Sequence, residues 1–315
     1  MKKGCLLFVG ALIGSYAAWA AFLLVRLHGT DGGEIAILAG LGAVMTTATV
    51  VIVRRIVDLD DDERALRKAM RGEPLEVGER GAAVGEIQPC IGEAPLSAPF
   101  SGRPAILYEY RVHRSEKHFA EERDGRGVLR RVERSHDVTA LSGHGMVPCE
   151  VHGAAENVRL GTRPVLEAPW TALDDPEARA HARTYVDATA FDVVSKETAV
   201  ASARENIEEL SSGETRLRHD ERSADAPADL DGWTLSERVV APGQRVTAIG
   251  EFSLAAGGLV GRTGDSWAPL KLWPEDAKST GESIRSTRGC SLLAAGVLLI
   301  LQFLLALRVF LAPER

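Results

Sequence analysis

The chain has little cysteine, no excess of positive charge and none of the short motifs that mark common catalytic centres. Its four cysteines, Cys5, Cys90, Cys149 and Cys290, lie far apart and form no CxxC pair. That spacing excludes a disulfide framework, and it excludes a zinc framework built from closely spaced Cys or His pairs. Lysine plus arginine total 37 against 44 aspartate plus glutamate, a net charge of -7, which argues against nucleic acid as a partner. Neither HExxH nor GxSxG occurs. Residues 257–266 (GGLVGRTGDS) lack the Gly-Lys-Ser/Thr ending of a phosphate loop and read as a glycine-rich hairpin turn. No catalytic residue, metal or cofactor is therefore expected.

Long apolar runs are present. Residues 5–25 carry no charge and are long enough to span a bilayer. Ala18-Trp19-Ala20 has the small-x-small form of a signal-peptide cleavage site, but the apolar run continues through Val25, so an uncleaved transmembrane helix is expected. Residues 35–53 form a second uncharged run, in which Thr46, Thr47 and Thr49 can bond back to helical carbonyls. Residues 291–312 form a third, whose one charge, Arg308, is near enough to the end to snorkel.

Basic clusters precede the first run (Lys2, Lys3), follow the second (Arg54, Arg55, Arg64, Arg67, Lys68, Arg71) and precede the third (Lys278, Arg285, Arg288). In a three-span topology all lie on one side, which predicts a multi-pass integral membrane protein with its large domain in the cytoplasm. A reducing cytoplasm also suits unpaired Cys90 and Cys149.

Between the spans the texture changes. Residues 58–73 read as a juxtamembrane helix, with Asp58, Asp60, Asp61 and Asp62 as its acidic start and Gly72 with Pro74 as its end. From residue 75 to 160 short alternating runs punctuated by Gly and Pro indicate antiparallel strands, at 82–87, 105–113, 128–139, 146–151 and 157–160. Residues 114–127, dense in both charge signs, read as a solvated hairpin tip. A helical insertion is expected at about 175–228, with one helix started by Asp175-Pro176-Glu177 and a second at 199–210. Strands return at 233–240 and 245–249, read as a hairpin about Ala241-Pro242-Gly243-Gln244, and a further glycine-rich hairpin is expected at 251–272. The fold class that follows is α+β: a mainly antiparallel β soluble domain at 75–278 with a helical insertion, flanked by transmembrane helices.

The stretch 94–114 (APLSAPFSGRPAILYEYRVHR) organises the rest. Pro95, Pro99 and Pro104 fix the backbone, Ser101-Gly102 offers a tight bend, and Ile106, Tyr108, Tyr110 and Val112 alternate with Glu109, Arg111 and His113. Arg103 has two readings. It satisfies turn carbonyls or a carboxylate of the fold, or it contacts a partner or a lipid headgroup. The one thiol–imidazole cluster is Cys149 and His152 with His144 nearby; on a regular strand an offset of three puts Cys149 and His152 on opposite faces.

This ordered set resembles the GIDE domain, also called the beside-a-membrane (BAM) domain, of the membrane-anchored RING-type E3 ubiquitin ligases of mitochondria and plastids and their prokaryotic relatives. The resemblance rests on Gly85-Glu86-Ile87 leading through Pro99 into Ser101-Gly102-Arg103-Pro104 and Tyr108-Glu109-Tyr110. It continues in residues 138–151 (VTALSGHGMVPCEV) and in Leu235-Ser236-Glu237, Pro242-Gly243-Gln244-Arg245-Val246 and Ile249-Gly250-Glu251. It implies a membrane-anchored protein-interaction or scaffold module whose partners are the bilayer and an unidentified protein. Pro99, Ser101, Gly102, Arg103, Pro104, Tyr108, Tyr110, Glu237, Gly243 and Gly250 are its fingerprint and possible interaction residues. The ligases carry a RING finger held by two zinc ions, and no such ligand set stands in this sequence, so no residue inherits ligase activity. Two alternatives remain open: a component of a ubiquitin-like conjugation pathway, and a membrane-associated hydrolase using His144, Cys149 and His152.

Overall fold

A computed structural model of the chain describes residues 32–123, 129–153, 156–195, 217–227, 229–261 and 268–310, together with Ser15 and Trp19. The first expected span (apart from Ser15 and Trp19), the expected helix at 199–210, the side chain of Arg308 and most of the glycine-rich loop at 262–267 lie outside the described residues.

Among the described residues, two long helices carry apolar stretches. Helix α1, Gly32–Met70, is continuous through both the apolar run and the charged segment after it. The sequence points to two helices, 35–53 and 58–73, and this is corrected. No Gly or Pro stands between residues 42 and 72 to break the ladder, and the charged half is stapled by i,i+3 and i,i+4 pairs. Arg54 meets Asp58 at 3.5 Å, and Arg64 meets Asp60 at 3.0 Å and Asp61 at 2.7 Å. At 39 residues, α1 is about 58 Å long, enough to cross a hydrocarbon core and project well beyond it. It ends where Gly72 takes φ 71° and the Gly72 N–H donates to the Ala69 carbonyl. Thr46 and Thr49 donate to the Gly42 and Met45 carbonyls, as expected of hydroxyls in an apolar helix.

The chain then builds β1 (Arg80–Pro89), β2 (Leu96–Ser97), β3 (Pro104–Ala105), β4 (Leu107–Arg123), β5 (Leu129–Met146), β6 (Cys149–Gly153), β7 (Asn157–Leu160), β8 (Val165–Leu166) and β9 (Thr171–Leu173). Helix α2 (Pro176–Ala188) follows, started by Asp175, whose carboxylate accepts from the Ala178 N–H at 2.8 Å, with proline in the first turn. Then come β10 (Asp192–Val194), β11 (Arg218–Ser223), β12 (Thr234–Val240), β13 (Arg245–Ser253), β14 (Gly258–Val260), β15 (Lys271–Trp273) and helix α3 (Ala277–Phe310). Asp276 caps α3 by accepting from the Ser279 N–H at 2.9 Å, which holds its carboxyl below the usual range.

Seven strands lie in the order β1-β6-β7-β14-β13-β15-β8, and β13 pairs back onto β1. Strands β1, β6, β7, β14 and β13 therefore close into a small barrel, which removes two exposed edges. Along β13, Val246 and Ala248 enter the barrel core, whereas Ile249 faces the long helices. Both faces of this strand are covered, so residues 246–250 are buried in succession and not in alternation. The barrel core is apolar: Ile87, Val151, Leu160, Val246 and Leu259 are buried in it, each worth about 1.5–3 kcal/mol on transfer from water.

Six strands form the second sheet in the order β10-β11-β5-β4-β12-β9. Most pairings are antiparallel, while β7–β14, β8–β15 and β10–β11 are parallel. The expected hairpin of residues 233–240 and 245–249 is corrected, because β12 belongs to the second sheet and β13 to the barrel. The turn between them hands the chain from one sheet to the other: the Gly243 N–H donates to the Ile87 carbonyl at 2.8 Å with φ 74°. Residues 114–123, expected in a hairpin tip, are instead strand, paired with β5 as far as Arg123 opposite Leu129. A register shift beside Val112 marks where this two-stranded arm leaves the sheet, since the neighbouring β12 ends its pairing at His113.

Helices α1 and α3 pack antiparallel. The Gln302 amide donates to Thr49 Oγ1 at 2.8 Å, satisfying a polar group inside an apolar stretch. Arg288 reaches Asp60 at 3.0 Å and Glu63 at 2.6 Å. Trp19 donates to Thr46 Oγ1 at 3.2 Å, and its ring occupies the space a Cβ on Gly42 would need. Two of the described helices, α1 and α3, are long and apolar enough to cross a membrane by length and composition.

Candidate functional site

The proline corner is built as a closed unit. The Ala98 N–H donates to the Arg103 carbonyl at 2.9 Å and the Gly102 N–H to the Ala98 carbonyl at 3.0 Å. Gly102 sits at φ 65°, and a Cβ there would meet the His181 ring at 2.8 Å. Phe100 drops inward, fully buried and edge-on to Tyr110 at 5.1 Å. Glu237 on β12 fastens the turn from below: its carboxylate, 2 % exposed, accepts from the Phe100 N–H at 2.9 Å and the Ser101 N–H at 3.2 Å. A buried carboxylate holding two backbone donors is a strong, charge-assisted clamp. The corner and the distant β12 strand are thereby one element.

Tyr108 and Tyr110 lie on the same face of β4 and reach over glycines of β5. Tyr110 is paired with Gly143 and Tyr108 with Gly145. A Cβ on Gly143 would come within 2.7 Å of the Tyr110 hydroxyl, and one on Gly145 within 2.4 Å of the Tyr108 ring. The absent side chains let Tyr110 cross a whole strand and donate to Asp220 on β11 at 2.6 Å. Tyr185 of α2 donates to the same Asp220 oxygen at 2.8 Å and lies 3.3 Å from the Tyr108 hydroxyl. Arg218 holds the other Asp220 oxygen at 2.9 Å and donates to Tyr185 at 3.0 Å. Burial raises all three phenols above the usual tyrosine range, Tyr110 and Tyr185 the furthest, and the Asp220 charge adds to this. Burial alone would lower the Arg218 guanidinium, but the Asp220 hydrogen bond with the surrounding groups raises it overall. The cluster is a closed network that locks α2 to the sheet, and every phenol in it stays protonated near neutral pH.

On the opposite face of this sheet, Trp170 lies between Arg111 and Arg238, each guanidinium 4.5 Å from the ring centre. Arg238 also pairs with Glu109. Burial and the neighbouring Arg111 charge lower the His113 imidazole, in that order of importance.

The expected fingerprint residues thus separate into two places. Pro99, Ser101, Gly102, Arg103, Pro104, Tyr108, Tyr110 and Glu237 come together at the corner and the sheet beneath it. Gly243 and Gly250 belong to the barrel, where a Cβ on Gly250 would lie 2.6 Å from the Val260 carbonyl oxygen. Arg103 is exposed and makes no side-chain hydrogen bond or ion pair among the described residues, so it does not satisfy the turn.

Cys149 and His152 do fall on opposite faces of β6, buried and exposed respectively. Burial pushes the Cys149 thiol up to about 12, and His152 faces Glu150 at 3.7 Å. His144 stands in the other sheet, beside His219 and in contact with Arg163. These three residues are not brought together, and a protonated buried thiol is not a nucleophile. Among the described residues no three His, Cys, Asp or Glu side chains are grouped to hold a metal.

Sequence reasoning missed the carboxylates that join the barrel to the helices. Asp60, Asp61 and Asp62 do not start a helix; they lie within α1. Asp62 is fully buried and meets Arg80 of β1 and, at 2.6 Å, Lys271 of β15. Arg80 also donates toward the Ala268 and Pro269 carbonyls at 3.5 and 3.3 Å. Beside this triad a cleft of about 380 Å³ opens between α1, α3 and β15, lined by Arg55, Asp58, Lys271, Trp273, Ser283 and Thr287 among others. The local signal available for Asp220 was the Ser142-Gly143-His144-Gly145 run, whose small residues alternate as Tyr108 and Tyr110 do on the facing strand. Compared with family models, curated proteins and solved structures, the chain matches none.

Proposed function

We propose that the chain is a membrane-anchored interaction or scaffold module of the GIDE/BAM type, its strand-rich domain held in a fixed attitude at the bilayer surface to engage a protein partner. The observation that carries this reading is the fastening of the barrel to the two long helices by Asp62, Arg80 and Lys271, and of the helices to each other by Asp60, Glu63 and Arg288. A domain hung on a flexible linker has no use for buried ion pairs at its junction. The basic residues after the apolar part of α1 and before that of α3 support a cytoplasmic position for the domain. The proline corner supplies the contact surface, because it is rigid while Arg103 projects unpartnered from it among the described residues. Chemistry is left to the partner.

Reporter fusions after Arg71 and Arg315 test the topology and are expected to report opposite compartments. A photo-crosslinking residue at Pro104 tests the surface. Arg103→Glu is expected to cut its crosslinks to partner protein several-fold without changing the melting temperature. Equal crosslinking in the variant removes the corner as the contact surface.

A further inference from the structure

We propose that the cleft where α1, α3 and β15 meet holds the headgroup of a bilayer phospholipid that carries a phosphate and a primary ammonium group. The inference rests on the membrane-anchored reading above and deepens it by naming a ligand.

Position is the first argument. On α1 the lining runs from Val51, inside the uncharged stretch, to Arg55 and Asp58 just beyond it. On α3 it runs through Ser283, Ile284 and Thr287, immediately before Arg288 and the uncharged residues 289–307. The cleft therefore straddles the level at which both helices leave hydrocarbon, with an apolar end for acyl chains and a polar end for a headgroup. Its volume of about 380 Å³ admits more than water.

Charge is the second. Asp62, Arg80 and Lys271 sum to one positive charge, taken out of water at the junction. A surplus charge in a poorly solvated site attracts a counter-ion more strongly than a surface charge does. Lys271 carries that surplus to the cleft wall, Arg55 stands exposed at its mouth, and Ser283 and Thr287 add hydroxyl donors. That set suits a phosphate. The same cleft also presents the carboxylates of Asp58, which pairs with Arg54, and Glu167. Two carboxylates oppose a purely anionic headgroup and accept hydrogen bonds from an ammonium. A trimethylammonium has no N–H to donate and is bound instead by aromatic cages, whereas the described lining holds one aromatic ring, Trp273.

The test uses the full-length chain in nanodiscs of equimolar phosphatidylethanolamine, phosphatidylcholine and phosphatidylglycerol, with native mass spectrometry of the lipid it retains. Retention of phosphatidylethanolamine above the other two is expected. Arg55→Gln should lower it by about tenfold, the worth of one charge-assisted hydrogen bond. Ser283→Trp, from an exposed helix position, should abolish it by filling the mouth, with the melting temperature of both variants unchanged. Equal retention of the three lipids, unaltered retention in both variants, or displacement by inorganic phosphate alone overturns the proposal. Alkaline-carbonate extraction of the wild type separates the two readings. A chain that is released has no span and fails the membrane reading, whereas a chain that stays inserted and shows no lipid preference fails only this one.

Discussion

The barrel and the six-stranded sheet solve the same problem of burial in opposite ways. The barrel interior is aliphatic, packed from both sides and closed on itself. The six-stranded sheet sets Tyr108, Tyr110 and buried Asp220 among Phe100, Leu141 and Leu235, closes them over with half-buried Tyr185 and exposed Arg218, and braces its proline corner with a buried glutamate. Apolar packing is forgiving of shape, because volume-conserving swaps cost little. A polar network is unforgiving, because each group left without its partner carries a full desolvation cost. The sheet that carries the proposed contact surface is the one whose geometry is specified most tightly.

The largest expected effect comes from removing the hub of the polar network. Asp220→Ala leaves the buried Tyr110 phenol and the half-buried Tyr185 phenol without their acceptor, while exposed Arg218 stays solvated, and is expected to cost about 2–4 kcal/mol in chemical denaturation. A loss below about 1 kcal/mol would show that the network is incidental to packing.

Next comes the room the tyrosines need. Gly145→Val places side-chain atoms where the Tyr108 ring now lies and should destabilise by about 1–3 kcal/mol, with loss of Tyr108 packing visible in near-UV circular dichroism. An unchanged spectrum would mean the ring has space to move.

A pH series sharpens the contrast without mutation. Tyr108, Tyr110 and Tyr185 have folded-state values above the unfolded value near 10. The folded state therefore binds more protons than the unfolded state above about pH 10. Their contribution to stability is complete below that pH and is lost as pH rises toward the folded values. Phenolate absorbance should show three of the four tyrosines titrating only with unfolding, at a pH above 10. Reversible titration of all four near pH 10 would refute the network's protonated state.

The smallest effects belong to the barrel. Ile87→Leu is expected to cost less than about 1.5 kcal/mol. The Cys149 thiol, held up near 12 by burial, should resist alkylation in the folded state while half-buried Cys90 reacts slowly, its own value raised by burial and by Glu150. Rapid labelling of Cys149 at neutral pH would return the hydrolase alternative to consideration.

Much of this was legible in the sequence for physical reasons that act locally. Uncharged runs of span length, the Asp175-Pro176 helix start, the left-handed Gly72 and the alternation of Tyr108, Tyr110 and Val112 each depend on neighbours a few residues away. Opposite faces for Cys149 and His152 follow from a period of two. Other assignments needed partners far along the chain. The turn at residues 241–244 has the chemistry of a hairpin, yet it carries the chain between sheets, because β1 and not β12 supplies the hydrogen-bonding edge for β13. The acidic run at Asp60, Asp61 and Asp62 has the composition of a helix start, yet Asp62 meets Arg80 and Lys271, the latter more than two hundred residues away. Propensity, capping and periodicity are properties of a segment, so the sequence by itself determined them. Strand register and the pairing of buried charges are properties of the assembled core, where an unmet group is too costly to tolerate, and only the tertiary structure decided those.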